Sequence, residues 1–147
     1  EHIGVDAESG LVHTVETTAA NVHDSSMTSS LLQGEETDVY GDSGYLGSEN
    51  KEDAVRVRQN GETVQYHINL RPSQMKKFTD AQYNAVRAGE HAKSSIRCKA
   101  EHVFCVVKRI FLFRKTRYRG REKLHQHSCT LFALANLYLV RSHLAVD

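Results

Sequence analysis

Short runs of alternating hydrophobic and polar residues fill the first half of the chain. Residues 2–7 and 11–18 are rich in β-forming side chains, and turn-forming residues 8–10 separate them, so the pattern predicts a β-hairpin. Residues 39–41 predict a short strand. Residues 64–70 carry hydrophobic side chains at every second position, which is typical of one face of a further strand.

Helical signals dominate the other segments. We predict a short helix from Asp24, as its N-cap, to Gln33, and a helix over residues 49–59 capped by Ser48. A third helix is predicted over residues 79–88, with Thr79 as its cap. Residues 91–113 carry the longest run of hydrophobic side chains at helical intervals. The predicted hydrophobic face holds Ile96, Ala100, Val103, Val107, Ile110 and Phe111. Residues 114–120, here called the basic connector, lead to a last amphipathic helix over residues 122–143.

The order of these elements favours a mixed α/β domain over a purely parallel wound sheet. A chain of 147 residues, 39% of them hydrophobic, can bury a core without disulfides or metal, so we expect one domain. Within it, residues 1–70 are acidic and rich in strands, and residues 71–147 are basic and helical.

Composition excludes two classes of protein. The three cysteines form no CxxC pair and cannot all join in disulfides, which favours a reducing, cytoplasmic compartment over a secreted disulfide framework. No hydrophobic run approaches the roughly 18 residues that span a bilayer, and the first residues lack the features of a signal peptide. We therefore expect no membrane partner.

The net charge of +1 hides an uneven distribution. Residues 1–66 hold 13 acidic and three basic residues, whereas residues 67–147 hold 16 basic and five acidic residues. This division suggests carboxylates with one task and a cationic surface for a polyanion, of which nucleic acid is the obvious example. The alternative is that opposite charges mix in space and neutralise each other.

Asp42 follows the predicted strand and lies between two glycines, Gly41 and Gly44. Strand ends are where α/β folds place ligand-handling side chains, and glycine permits a close approach of the backbone. Taken alone, however, an Asp-x-Gly sequence is more often a turn than a site.

One stripe of the longest predicted helix carries Arg97, Glu101 and Lys108. At about 100° per residue, Glu101 lies about 40° and Lys108 about 20° from Arg97, at the margin of the hydrophobic face. A carboxylate at that margin is partly desolvated and can still reach a cleft. The simpler interpretation is an Arg–Glu pair on a solvated helix face, which contributes about 0.3 kcal/mol.

Basic residues are concentrated in the same region and beyond it. Residues 93–123 hold 11 Lys or Arg and two acidic residues, with Phe113 and Tyr118 among them. Such a run suits contacts with DNA phosphates that do not depend on base sequence, although a solvated helix face is the usual alternative. The predicted contacts to the DNA backbone are Arg109, Arg114, Lys115, Arg117, Arg119 and Arg121.

Together, Asp42-x-Gly44-Tyr45 and Arg97-x3-Glu101-x6-Lys108 resemble the catalytic core of the DDE-class transposases of bacterial insertion sequences, of the IS-four and IS-five kind. Residues 2–24 and 117–141 are also similar to that family's central and terminal blocks. The resemblance implies an RNase H-like α/β fold, with a mixed sheet and flanking helices, of which this chain is the C-terminal catalytic portion. It also implies three carboxylates that hold two Mg²⁺ or Mn²⁺ ions for cutting and joining DNA strands.

The resemblance assigns roles to individual residues. Asp42 matches the family's second catalytic acid and Glu101 the third, so both would be metal ligands that converge despite 58 intervening residues. The residues that would support them are Gly44, Tyr45, Arg97 and Lys108.

The chain also departs from the family pattern. The family's first catalytic acid lies on a strand ahead of the hairpin, before Glu1, so we expect this chain to lack its first strand and to be inactive as it stands. Asp6 is a nearby substitute, but its place at the turn predicts a hairpin role. Ser94 stands where the family tends to have Tyr.

The sequence therefore predicts a truncated transposase catalytic domain whose partner is DNA, with a homo-oligomer possible in the full-length family. Two alternatives from other classes stay open: a non-catalytic DNA-binding remnant and an interaction domain. Divalent-ion binding separates the catalytic domain from the remnant, and salt-dependent DNA binding separates both from an interaction domain.

Overall fold

The computed structural model describes residues 1–52, 54, 57–58 and 61–144. It is a mixed α/β structure with two compact units, Glu1–Asn21 with Lys99–Asp147, and Val22–Cys98. The strands are β1 (His2–Val5), β2 (Val12–Glu16), β3 (Asp38–Gly41) and β4 (Gln65–Ile68). The α-helices are α1 (Thr28–Leu31), α2 (Pro72–Met75), α3 (Asp80–Cys105), α4 (Arg121–Leu139) and α5 (Arg141–Leu144), and a π-helix spans Val106–Ile110. Within the described ranges, no helix is both long and apolar enough to cross a membrane.

The N-terminal hairpin of the first unit is confirmed. β1 and β2 pair antiparallel, with Ile3 opposite Val15 and an irregularity in register after Gly4. Asp6 shapes the turn, because its Oδ1 accepts hydrogen bonds from the hydroxyl and the backbone N–H of Ser9 at 2.5 and 2.6 Å. These bonds also hold the pKa of Asp6 below its ordinary value. The structure therefore confirms the predicted role of Asp6 in the hairpin turn.

Valine and aromatic side chains form the core of this unit. Phe104 packs edge-to-face against Phe132, with ring centroids 5.6 Å apart. On α4, the side-chain amide of Asn136 bonds both the N–H and the carbonyl of Val12, at 2.9 and 2.8 Å. These contacts hold the hairpin against α4. The buried hydrophobic residues are Val12, Val103, Val106, Val107, Phe132 and Ala135.

The second unit contains a parallel pair of strands. β3 pairs with β4, with Asp38 opposite Gln65 and Gly41 opposite Ile68. The strand predicted over residues 39–41 is confirmed, and β4 is shorter than the predicted residues 64–70. The described parts of the chain form two separate two-stranded sheets, one antiparallel and one parallel, so a single mixed sheet stays a prediction.

The helix predicted over residues 49–59 is wrong where the structure describes it. A 3₁₀ turn covers only Ser48–Asn50, and Ser48 is its first residue rather than its cap. Val57 pairs with Thr63 in an antiparallel bridge, and beside it the backbone N–H of Arg58 donates to the carbonyl of Glu62 at 2.8 Å. Residues 53, 55, 56 and 59 of that prediction lie outside the described residues.

The two helices predicted over residues 79–88 and 91–113 form one continuous helix, α3. Thr79 precedes its first residue, as predicted, and its hydroxyl donates to the side chain of Gln82 at 3.0 Å. Gly89 does not interrupt the helix, because one interior glycine costs only about 1 kcal/mol and the chain's single proline lies earlier.

The predicted boundaries also differ at three other places. The π-helix after α3 widens the turn, and Ile110, predicted for the hydrophobic face, is 50% exposed. The last predicted helix is divided into α4 and α5 because Val140 departs from helical geometry, with ψ 6°. The helix predicted from Asp24 is a 3₁₀ turn, Asp24–Ser26, followed by the single turn α1, and His23 is its N-cap.

Candidate functional site

Asp42 lies where β3 ends, and its neighbours fix its position. Its Oδ1 accepts a hydrogen bond from the backbone N–H of Gly44 at 2.8 Å, which begins a 3₁₀ turn over Ser43–Tyr45. Gly41 leaves no space for a side chain, since a Cβ there would lie 2.8 Å from Cδ1 of Ile68. The half-buried carboxylate therefore forms a turn and also stands at the carboxyl end of a parallel strand.

A clamp from α3 holds the adjacent end of β4. The Glu90 carboxylate accepts hydrogen bonds from Nδ2 of Asn69 and from the N–H of Leu70, each at 2.8 Å, and pairs with Lys93. Burial raises the pKa of Glu90, but the bonds from Lys93, Asn69 and Leu70 outweigh it and leave that pKa below its ordinary value. The N–H of Asn69 donates to the carbonyl of Gly41 at 3.0 Å, so the clamp also orders the backbone just before the candidate carboxylate.

Ser94 belongs to this clamp. Its hydroxyl oxygen accepts a hydrogen bond from Nδ2 of Asn69 at 3.3 Å. At the position where the resembled family tends to carry Tyr, this chain therefore has a small polar side chain that contacts the end of β4. Arg97 follows on the same helix and is half-buried.

A second carboxylate lies beside Asp42. A Cβ built on Gly44 would lie 3.0 Å from Oδ1 of Asp42 and 3.1 Å from Oδ2 of Asp24, so both carboxylates border the same small space. Asp24 reaches it because its 3₁₀ turn packs against the turn Ser43–Tyr45. The sequence predicts a helix cap at Asp24 and gives no signal for this position, since no local spacing links Asp24 to Asp42.

Tyr45 stands next to this pair of carboxylates. Burial, together with the charges of Asp24 and Asp42, raises the pKa of its hydroxyl to about 12. The hydroxyl therefore remains protonated at neutral pH and can act as a hydrogen-bond donor there.

Alkaline titration should separate Tyr45 from the other tyrosines. We expect its tyrosinate absorbance to appear near pH 12, and to appear at lower pH in Asp24→Asn than in Asp42→Asn, because Asp24 exerts the larger charge effect. Since the folded state raises this pKa, the associated stability is complete below pH 10 and is lost as pH rises through 12. Tyr45→Phe is the control and should remove the late transition; an unchanged titration in Tyr45→Phe would refute the assignment.

Glu101 belongs to the other unit and lines an open cleft of about 640 Å³. Lys108 and Arg109, on the π-helix, line the same cleft, together with Phe104 and Phe113. The Nζ of Lys108 lies 5.4 Å from the centroid of the Phe104 ring. The cleft thus combines a carboxylate, two cations and aromatic surface.

Glu1, which is not among the residues predicted for the site, also lines this cleft. Its carboxylate accepts a hydrogen bond from the hydroxyl of Ser128, a fully buried residue of α4. No sequence signal links Glu1 to Glu101, because only packing of the hairpin against the helices brings them to one cleft. The convergence of Asp42 with Glu101, which belong to different units, stays a prediction.

The basic connector is irregular and exposed. Tyr118 within it is 52% exposed. In the described part of the chain, its basic side chains form no ion pair, so their charges are available to an external anion. All six predicted backbone-binding residues are exposed: Arg109, Arg114, Lys115, Arg117, Arg119 and Arg121.

The donor chemistry at Asp24, Asp42 and Glu101 fits a hard divalent cation, because Mg²⁺ and Mn²⁺ prefer carboxylate oxygens. Among the residues with described positions, no group of three or more His, Cys, Asp or Glu side chains could hold an ion. Asp42 and Glu101 are therefore candidate ligands by the chemistry of their carboxylates alone.

The chain matches a known protein family. The model of the transposase DDE domain family matches residues 1–137, a range that includes the hairpin, both candidate carboxylates and the basic connector. No solved structure matches the chain.

Proposed function

The chain belongs to the transposase DDE domain family, and on that premise we propose that it is the C-terminal catalytic portion of a bacterial insertion-sequence transposase. In this proposal the chain has an RNase H-like fold and takes part in metal-dependent cleavage and joining of DNA strands. Its location is the bacterial cytoplasm, in association with the nucleoid. It also includes assembly as a homo-oligomer in the full-length protein.

The observation that carries this proposal is the cleft that Glu101 shares with Lys108 and Arg109. A phosphodiester reaction needs an anionic ligand for metal beside cations that hold phosphate, and this cleft supplies both. Lys108 and Arg109 bind and orient the DNA phosphate, while the carboxylate of Glu101 would be a hard oxygen ligand for the metal.

Asp42 supplies the second carboxylate of the proposed site. Its turn with Gly44 and the strand before it hold the side chain in place. Bound at Asp42 and Glu101, Mg²⁺ or Mn²⁺ would activate the attacking oxygen and stabilise the leaving 3′ oxygen. Tyr45 is proposed to act as a neutral hydrogen-bond donor beside Asp42, since its hydroxyl keeps its proton.

We expect the 147-residue chain to bind DNA without cutting it. A site with only two of the family's three acids offers a metal ion too few anionic ligands, and Mg²⁺ gives up its bound water reluctantly at such a site. The measurement is nicking of supercoiled DNA with Mg²⁺ or Mn²⁺, by this chain and by a longer protein that includes the residues encoded before Glu1.

Cleavage by the longer protein alone would support the proposal. Cleavage by the 147-residue chain that Asp42→Ala abolishes would show that another acid, such as Asp6, completes the triad. DNA binding by both proteins with cleavage by neither would favour the non-catalytic remnant.

A further inference from the structure

Residues 114–117 of the connector, here called the basic loop, lie between two aromatic residues that both contact His127 of α4. The ring of His127 lies 5.4 Å from the ring of Phe113 and 4.9 Å from that of Tyr118, measured between centroids. The ring planes meet at 45° and 57°. Phe113 immediately precedes Arg114, and Tyr118 immediately follows Arg117, so one imidazole contacts both ends of this basic loop.

Further contacts fix the chain before and after the loop. The N–H of Phe113 donates to the carbonyl of Val107 at 3.1 Å. Phe111 packs edge-to-face against Tyr138 of α4, with ring centroids 6.1 Å apart. The carbonyl of Gly120 accepts the first hydrogen bond of α4. The loop is therefore short, anchored at both ends and exposed between the anchors.

We propose that His127 is a positioning residue for DNA binding, which holds the basic loop 114–117 in a defined shape before DNA arrives. This inference rests on the proposed function, because it takes the DNA backbone to be the partner of the connector. An irregular basic segment loses conformational freedom when it settles on phosphates, and ordering it beforehand lowers that cost. His127 itself is half-buried and acts through the loop rather than on DNA.

The ring of His127, rather than its polarity, makes these contacts. Its Nδ1 is buried and has no hydrogen-bond partner in the part of the chain that the structure describes. An aromatic ring without nitrogen should therefore replace it. Replacement by Phe therefore distinguishes packing of the ring from a role of His127 as a proton donor, a metal ligand or a direct contact to phosphate.

The first test measures duplex binding by fluorescence anisotropy over a range of salt concentrations. We expect His127→Ala to weaken binding about three- to tenfold at every salt concentration, with an unchanged slope of log affinity against log salt, because no phosphate contact is removed. His127→Phe should bind like the wild type, and so should His143→Ala, a matched change at an exposed histidine of α5. A smaller slope in His127→Ala, or equal weakening in His127→Phe, would overturn the inference.

The second test needs no DNA. Trypsin cleaves after Lys and Arg, so the rate of cleavage within residues 114–117 reports how ordered the free loop is. We expect faster cleavage there in His127→Ala and in Tyr118→Ala, which removes an exposed ring, with wild-type rates at other sites and in His127→Phe. Uniformly faster cleavage would indicate general unfolding and refute the specific role. Loss of DNA binding by the wild type would instead refute the proposed function, whatever the trypsin result.

Discussion

In a protein of this family with the proposed cleavage activity, replacing Asp42 by Asn or Glu101 by Gln will lower Mg²⁺-dependent DNA cleavage by about a thousandfold or more. Each change removes an anionic oxygen that the proposed metal pair requires, and a loss of several kcal/mol of transition-state stabilisation corresponds to this factor. The measurement is the rate of strand cleavage at saturating Mg²⁺. Duplex binding without metal should stay level or rise slightly, because a negative charge near bound phosphate is lost.

Asp6 provides the matched control for this prediction. Its carboxylate is engaged with Ser9 in the hairpin turn, so Asp6→Asn should keep the cleavage rate within a small factor of the wild type. Loss of cleavage in Asp6→Asn with full activity in Asp42→Asn would refute the assignment of the catalytic acids. Equal loss in both, with reduced thermal stability, would show that the variants fail through folding.

Replacing Arg117, Arg119 and Arg121 by Ala together will weaken duplex binding roughly 10²–10³-fold at low salt. Each phosphate contact contributes about 0.9 to the slope of log affinity against log salt, so the slope should flatten by up to about three units. The loss should be alike on duplexes of unrelated sequence, because these contacts involve the backbone. Fluorescence anisotropy over a salt series measures both quantities.

A charge-matched variant makes this test specific. Replacing Arg71, Lys76 and Lys77 by Ala removes the same charge from exposed residues near α2. We expect a much smaller change in slope there, because only general attraction is reduced. If the triple change in the basic connector keeps the wild-type slope, the connector is a solvated surface and the interaction-domain alternative gains support.

The hairpin, the strand before Asp42 and the turn at Asp6 could all be predicted from the sequence. Each depends on neighbours within a few residues: alternation places one face of β1 and β2, and the Asp6 carboxylate reaches Ser9 three residues later. The same locality explains the exposed basic connector, since a dense run of like charge has no place in a core. The family resemblance, based on the Asp42 and Arg97-to-Lys108 segments, is supported by the family match.

The extent of α3 could not be predicted, because the signals at its centre were weak. The sequence predicts two helices, over residues 79–88 and 91–113, whereas α3 continues without interruption through Gly89. The π-helix is equally hidden from periodicity, which assumes a constant turn, and it exposes Ile110.

The sequence by itself determined the local elements and the chemistry that they carry: a carboxylate at a strand end, an acid beside cations on a helix, and a basic connector. Only the tertiary structure placed Asp24 beside Asp42, Glu1 in the cleft of Glu101, and His127 against both ends of the basic loop. The physical reason is the separation along the chain over which the interactions act. Turns and strands follow from interactions between near neighbours, whereas these three groupings depend on packing between segments that no spacing along the chain relates.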